Sequence, residues 1–403
     1  MDILMISHLS GQLSMEDNDR FKYIANLLIQ AGHHVELVMS DFEHHKKAYR
    51  DFADCDQFPF KITLLHEPKY NSNVSLKRII SHSAFARQVS IFLKTRKRPD
   101  VVYCSVPPLK TAVVVAKYAK ENQVRLVIDI QDLWPEAFKL VLKIPLVSNI
   151  LLYPMRLQAD YAYKAADVII AVSQTYADRA LRVNKKCKQG ISVFLGTDLF
   201  SFDRYANCQS TGKPDNEIWI AYVGNVGYSY DLNCVIDAIQ VLASEGINNI
   251  KFVVIGDGPL KDKYEAYARN KKISSDFTGR KKYADMVALL SLCDLAVNPI
   301  MKGGAQSIVN KVGDYAAGGL PVINSQENPE YRSLVNQLNI GLNCSNGDSA
   351  DMARKMKILC NDKELRQEMG KNNRKLAEEK FDRSVSYKQI VDILTFQNQN
   401  GNN

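Results

Sequence analysis

Short apolar runs alternate with amphipathic stretches along almost the whole chain, and this alternation sets the expected fold class. Residues 2–7 read as a strand, 19–31 repeat at helical spacing and stop at Gly32, and 34–39 alternate as a second strand. Further strands are expected at 60–65, 99–105, 125–130 and 167–172. Helices are expected at 79–94, with a basic face, at 110–121 and at 155–166. Strand following helix in this way predicts parallel strands joined by crossover helices on both faces of a sheet. The pattern breaks over 204–216, which is polar, carries Gly and Pro, and has no period, so it reads as a linker.

A fresh alternation follows. Strands are expected at 218–223, 250–255, 276–279 and 294–299, with helices at 232–244, 261–268 and 283–292. Residues 303–324 read GGAQSIVNKVGDYAAGGLPVIN: a glycine pair, a helical segment over about 307–317, two more glycines and the start of a buried strand. Helices near 350–360, 363–379 and 384–396 complete the chain before an Asn/Gln/Gly tail expected to be disordered. The expected organisation is an α/β chain of two Rossmann-like domains facing across a cleft. Residues 1–200 form the first and 217–380 the second, with a linker at 201–216, a last helix at 381–396 crossing back to the first domain, and a tail at 397–403.

Composition narrows the class. The 403 residues are 46% apolar and 24% charged, as in a globular protein with room for two cores. Eight scattered cysteines form no CxxC pair, so neither a disulfide framework nor a zinc site is expected, and reduced thiols are the plain reading. The opening run is too short for a signal peptide, and 140–157, the nearest approach to a membrane span, is interrupted by Lys143, Pro145, Asn149 and Pro154. The net charge of +8 concentrates at 44–50, 94–98 and 185–188. Such runs either hold a protein to an anionic surface or are solvated helix ends.

Candidate chemistry lies after strand ends, where parallel sheets bind ligands. Gly303 and Gly304 precede a helical segment on which Ser307, Asn310 or Lys311, Asp314 and Gly318 share a face; glycines let backbone approach a ligand, and free N–H groups of a first turn attract anions. A lysine early in a helix is electrostatically misplaced unless an anion is near. Gly224-Asn225-Val226-Gly227 joins a strand to a helix, as either a phosphate loop or a tight turn; Asp257, between two glycines, is similar but weaker. Arg280 can pair with a diphosphate or simply sit in a solvated turn. Asp132 and Glu136 follow a buried strand beside Trp134, either orienting a hydroxyl or acting as base, or else forming a helix start with Pro135. No histidine pairs with a Ser or Cys as a nucleophilic triad would.

The set Gly32-His33-His34-Val35, Asp132-Leu133-Trp134-Pro135-Glu136, Ala166-Asp167, Ala171-Val172-Ser173, Gly196-Thr197-Asp198, Gly224-Asn225, Gly256-Asp257-Gly258-Pro259 and Gly319-Leu320-Pro321-Val322 resembles the GT-B glycosyltransferases of family 4 from end to end. The resemblance implies a nucleotide-sugar donor in the second domain, an acceptor in the first, transfer with retention of anomeric configuration, and no cofactor or metal. It also implies that Asp314 holds the donor ribose. The family's Glu-x7-Glu appears here as Gln306-x7-Asp314, which leaves the first acid's role open. The Arg and Lys that often follow the glycine loop at Gly224 are missing, so Arg280 or Lys311 is expected to supply the phosphate charge.

The expected function is therefore that of a retaining hexosyltransferase (EC 2.4) of capsule or lipopolysaccharide synthesis. A UDP-sugar is the favoured donor and a lipid-linked saccharide the expected acceptor, with no nucleic acid involved. Its expected place is the cytoplasm, at the inner face of the plasma membrane. A GT-B nucleotide-sugar epimerase and a non-catalytic nucleotide-sugar binder are the alternatives.

Overall fold

The computed structural model describes residues 1–11, 19–44, 46–72, 75–140, 145–207, 212–303 and 307–396. Two compact units account for them: Met1–Phe194 with the chain from Ser386 onward, and Leu195–Val385.

In the first unit the strands are β1 (Asp2–Ile6), β2 (His34–Ser40), β3 (Phe42–Glu43), β4 (Ala48–Tyr49), β5 (Lys61–Leu65), β6 (Val101–Val106), β7 (Arg125–Ile130), β8 (Val168–Ala171) and β9 (Ile191–Ser192). Seven of them form one parallel sheet in the order β5-β2-β1-β6-β7-β8-β9, while β3 and β4 pair as a small antiparallel hairpin. Helices α1 (Arg20–Gln30), α2 (Leu76–Thr95), α3 (Leu109–Glu121), α4 (Pro145–Ala165) and α5 (Gln174–Leu181) make the crossovers. Helix α1 starts where the Asp19 carboxylate accepts from the backbone N–H groups of Phe21 and Lys22. One face of α1 (Phe21, Ile24, Leu28) packs on Ile3, Met5, Leu37 and Val101 of the sheet. The same core takes in Tyr387, Ile390 and Leu394 from the end of the chain.

Helix α1 is pinned by a buried ion pair. The Arg20 guanidinium donates to Asp129 at 2.8 Å and to the carbonyls of Val193 and Phe194 at 3.1 and 3.0 Å, and the Tyr103 hydroxyl also donates to Asp129.

The second unit repeats the plan. Strands β10 (Ile218–Val223), β11 (Ile250–Ile255), β12 (Ser275–Gly279), β13 (Leu295–Asn298), β14 (Val322–Asn324) and β15 (Gly341–Asn343) lie parallel in the order β12-β11-β10-β13-β14-β15. Its core joins Ile220, Tyr222, Phe252 and Val254 of the sheet to Val235, Ile239 and Leu242 of the helix Leu232–Ser244.

Several sequence expectations need correcting. The expected linker begins inside a helix, α6 (Leu199–Ala206), capped by Asp198 and tied to the second unit by Arg374, which grips the Asp203 carboxylate at 2.6 and 2.8 Å. With only Leu199 and Phe202 buried, α6 carries too little periodicity to stand out. The second unit therefore begins at Leu195 and runs to Val385, past the expected limit of 380. There Thr197 N–H donates to the Phe381 carbonyl at 2.8 Å. The last helix is Lys388–Thr395 rather than 384–396. The expected tail at 397–403 lies outside the described residues. The outward side of α2 is not simply basic, because Leu76, Ile79 and Ile80 are exposed.

Candidate functional site

In a doubly wound parallel sheet, neighbouring strands that send the chain to opposite sides open a crevice at their carboxyl ends. In the second unit those strands are β10 and β13. Strand β10 ends at Val223, and Gly224 follows at φ 129°, a backbone conformation that favours glycine. The Gly224 loop is pressed against the loop after β11: Gly224 N–H donates to Ile255 at 3.0 Å and Val226 N–H to Asp257 at 2.9 Å. A Cβ on Gly256 would meet the Gly224 carbonyl at 1.8 Å, so this glycine pair serves close loop packing, which favours the structural reading of Asp257.

The helix expected from 307 starts later, at Lys311, and has seven residues, Lys311–Ala317. The Ser307 carbonyl accepts from the Gln326 side chain at 2.6 Å, and the Asn310 side chain makes no capping bond. Lys311, the first residue of that helix, is turned inward. It is only 6% exposed, and its Nζ lies 3.9 and 3.7 Å from the ring centroids of Tyr222 and Tyr230. A Cβ on Gly224 would stand 3.2 Å from that nitrogen. Among the described residues Nζ has no hydrogen-bond partner, and burial pushes its pKa well below the usual lysine range. Ring faces attract a cation but do not replace its hydration, so among the described residues the ammonium is left without an anion.

Asp314 lies one turn further on. Its carboxylate accepts from the Tyr283 hydroxyl at 3.0 Å, and that hydroxyl is 2.6 Å from the Thr197 hydroxyl. Enclosure raises the Asp314 pKa to about 6, against the opposing effect of the bonds from Tyr283 and Thr197. An acid whose folded pKa lies above its unfolded value, about 4, adds stability at low pH and loses it as pH rises through the folded value. Asp314→Asn should therefore unfold at higher urea than the native chain at pH 8, the difference shrinking towards pH 4. A constant difference across that range would count against this assignment.

The other predicted donor residues make contacts of their own. Gly303 N–H donates to Glu327 at 3.3 Å, Asn225 accepts through its carbonyl from Tyr222 at 2.7 Å, and Arg280 is exposed on the turn after β12. Gly304 and Gln306 lie outside the described residues.

In the first unit the corresponding crevice lies at the ends of β1 and β6. Beside it, after β7, Asp132 accepts from Leu133 N–H at 2.9 Å, from the Trp134 indole at 3.1 Å and from the Tyr176 hydroxyl at 3.2 Å. Burial raises its pKa, and those three bonds oppose the rise. Glu136 starts a 3₁₀ turn and pairs with Arg179, which also donates to Asp160 at 2.8 Å. Sequence reasoning passed over the histidines, yet His8 lies 2.6 Å from Glu67, both buried. His82 stacks on Trp134 with ring centroids 5.8 Å apart. Burial, with His8 and Arg78 adding to it, drives the His82 pKa down to about 2 and keeps it neutral. The available signal was position: His8 follows β1 and Glu67 follows β5.

Two family models match the chain: Glycosyltransferase Family 4 over residues 20–189 and Glycosyl transferases group 1 over 203–376. The chain belongs to the family 4 glycosyltransferases of GT-B fold. It is 23% identical over 305 residues to WbjE of Pseudomonas aeruginosa, a probable glycosyltransferase, covering 73% of this chain and 74% of that one. It is 25% identical over 288 residues to WcaI of Escherichia coli K12, named for colanic acid biosynthesis, with 67% and 68% covered. Among solved structures, Anabaena Alr3699/HepE in complex with UDP superposes with a TM-score of 0.71 at 15% identity, over 98% of this chain and 100% of that one.

Among the described residues of this glycosyltransferase no helix is long and apolar enough to cross a membrane. Its two first-unit acids differ in what they can do. Glu136 is committed to Arg179, so Glu136→Gln should lower stability by about 1–3 kcal/mol while changing turnover less than threefold. A hundredfold loss of turnover at an unchanged melting temperature would return Glu136 to the chemistry.

Proposed function

We propose that the chain transfers a hexose from a UDP-sugar to a lipid-linked saccharide, with retention of configuration and no bound metal, at a cytoplasmic membrane face. The observation that carries this reading is the buried Lys311 beside the Gly224 loop, whose amine has no hydrogen-bond partner among the described residues. A leaving diphosphate would bring two to three negative charges to that point, and a charge-assisted bond there strengthens as the glycosidic bond breaks. The UDP named for HepE and the colanic acid biosynthesis named for WcaI agree with it.

In this reading Asp314 accepts from the ribose hydroxyls and Arg280 serves the outer phosphate. Asp132 is a positioning residue, since its oxygens already hold Trp134 and Tyr176. Thermal unfolding in the presence of UDP, GDP, ADP or CMP tests the donor assignment. A ligand at 100 times its Kd stabilises by about 2.7 kcal/mol, so UDP alone should raise the melting temperature visibly. No shift with any of the four would end the donor reading.

A further inference from the structure

In the first unit, cations and aromatic rings gather at the end of the sheet where β2 and β5 stop. Tyr70 is buried, and its hydroxyl lies 2.5 Å from His44 Nδ1. The Lys47 ammonium sits 4.6 Å from the Tyr70 ring centroid, on the turn between β3 and β4. Arg78, in the first turn of α2, lies 5.1 Å over the Trp134 ring and 6.0 Å from Tyr70. Glu67 and Asp132, whose charges act favourably on Arg78, are themselves hydrogen-bonded to His8 and to Trp134, Tyr176 and Leu133, and the Lys47 ammonium lies 3.3 Å from His44 Nδ1.

A second observation comes from α2 itself. Its first turn carries Lys77 and Arg78 and no acid, the reverse of what the helix dipole favours, and no acid occurs anywhere in Leu76–Thr95. Between and after these cations Leu76, Ile79 and Ile80 are 77%, 57% and 60% exposed. Three large aliphatic side chains in water on two turns, interleaved with cations, form an amphiphilic surface of one sign of charge. Burial, with repulsion from Arg78 added to it, holds the Lys47 pKa below the usual lysine range.

We propose that this end of the first unit is a subsite for the phosphate or diphosphate ester of an apolar chain. The ester's anionic group lies between Arg78 and Lys47, and its hydrocarbon runs along Leu76, Ile79 and Ile80. The inference deepens the transfer proposed above by assigning residues to the acceptor's anchor, and it rests on that reading for the word acceptor. Arg78 supplies the planar fork that grips two phosphate oxygens, Lys47 supplies a point charge, and Trp134 and Tyr70 supply apolar walls. His82, held neutral, accepts from Arg78 Nε at 3.4 Å and helps orient it.

The test uses tryptophan emission in a Trp219→Phe chain, where Trp134 alone reports. Farnesyl diphosphate in neutral detergent micelles should change that emission saturably, and inorganic diphosphate should do so more weakly. Lys47→Gln with Arg78→Gln should raise half-saturation for both probes tenfold or more, while Arg78→Lys should recover part of the loss. Leu76→Gln with Ile80→Gln should weaken farnesyl diphosphate and leave inorganic diphosphate unchanged. Circular dichroism and melting confirm that each variant is folded.

A silent Trp134, or equal half-saturation in the Lys47/Arg78 double variant, overturns the subsite. An equal response to phosphatidylglycerol vesicles replaces a discrete ester with bulk membrane charge and overturns it too. Because Trp134 belongs to the first unit, this result is read independently of whether UDP shifts melting. A UDP shift with a silent Trp134 leaves the donor reading standing, and the converse leaves the subsite standing.

Discussion

Replacing Lys311 with methionine is expected to raise the melting temperature of the unliganded protein and to weaken UDP tenfold to hundredfold. The two effects have one origin. In the free chain the Lys311 amine has left water for a site with no hydrogen-bond partner among the described residues. Desolvation of an ion costs several kcal/mol, whereas contacts with two tyrosine faces return about 0.5–2 kcal/mol each. Removing the amine should therefore gain about 1–2 kcal/mol, or roughly 2–8 °C for a unit of this size.

The UDP complex reverses the balance, because a charge-assisted bond is worth about 1.5–3 kcal/mol. The pH dependence supplies a control. The unfolded lysine titrates near 10.4 and the folded one well below that, so the unfolded state holds more protons in the interval between them. Stability contributed by this residue must then rise with pH through that interval and be absent from Lys311→Met. Scanning calorimetry with and without UDP checks all three points. A variant that melts lower and binds UDP as the native chain does would make Lys311 a structural residue.

The largest loss of stability is expected from Arg20→Met. Asp129 is fully buried, and without the guanidinium its carboxylate would keep only the Tyr103 hydroxyl among the side chains that now bond it. Breaking one side of such a pair costs about 3–5 kcal/mol, and here the Val193 and Phe194 carbonyls lose their donor as well. Melting should fall by roughly 6–20 °C. Replacing Arg20, Asp129 and Tyr103 together by Met, Leu and Phe should recover most of it, because apolar groups of similar shape need no partner. If the triple variant is no better than the single one, packing by the Arg20 side chain rather than its charge is what α1 requires.

These residues also mark how far the sequence could be read. The long strands were legible because each is a continuous apolar run ended by Gly, Pro or a polar cluster, and Lys311 stood out as a cation early in a helical segment. Strands β9 and β15, of two and three residues, are too short to show a period. The start of the Lys311 helix was misplaced because residues 307–310 share its apolar spacing yet are drawn off by Gln326, a contact that spacing cannot reveal. The pairs Arg20–Asp129 and His8–Glu67 span 109 and 59 residues. Chemistry that depends on such distant partners becomes visible only when the sheet order is known. Glu136 shows the same limit from the other side: its motif was legible, but its partner Arg179 was not.

The return of the chain end to the first unit has a consequence for synthesis. Tyr387, Ile390 and Leu394 are fully buried in the core that α1 and β1 begin, yet they emerge almost two hundred residues after β9. The second unit is continuous in sequence and has all its parts once Val385 is made. The first must hold an open apolar face throughout that interval, although domains made first generally fold first. At about 5–20 residues per second the wait is on the order of ten seconds or more. During this time the exposed surface of α1 is a natural target for a chaperone at the ribosome.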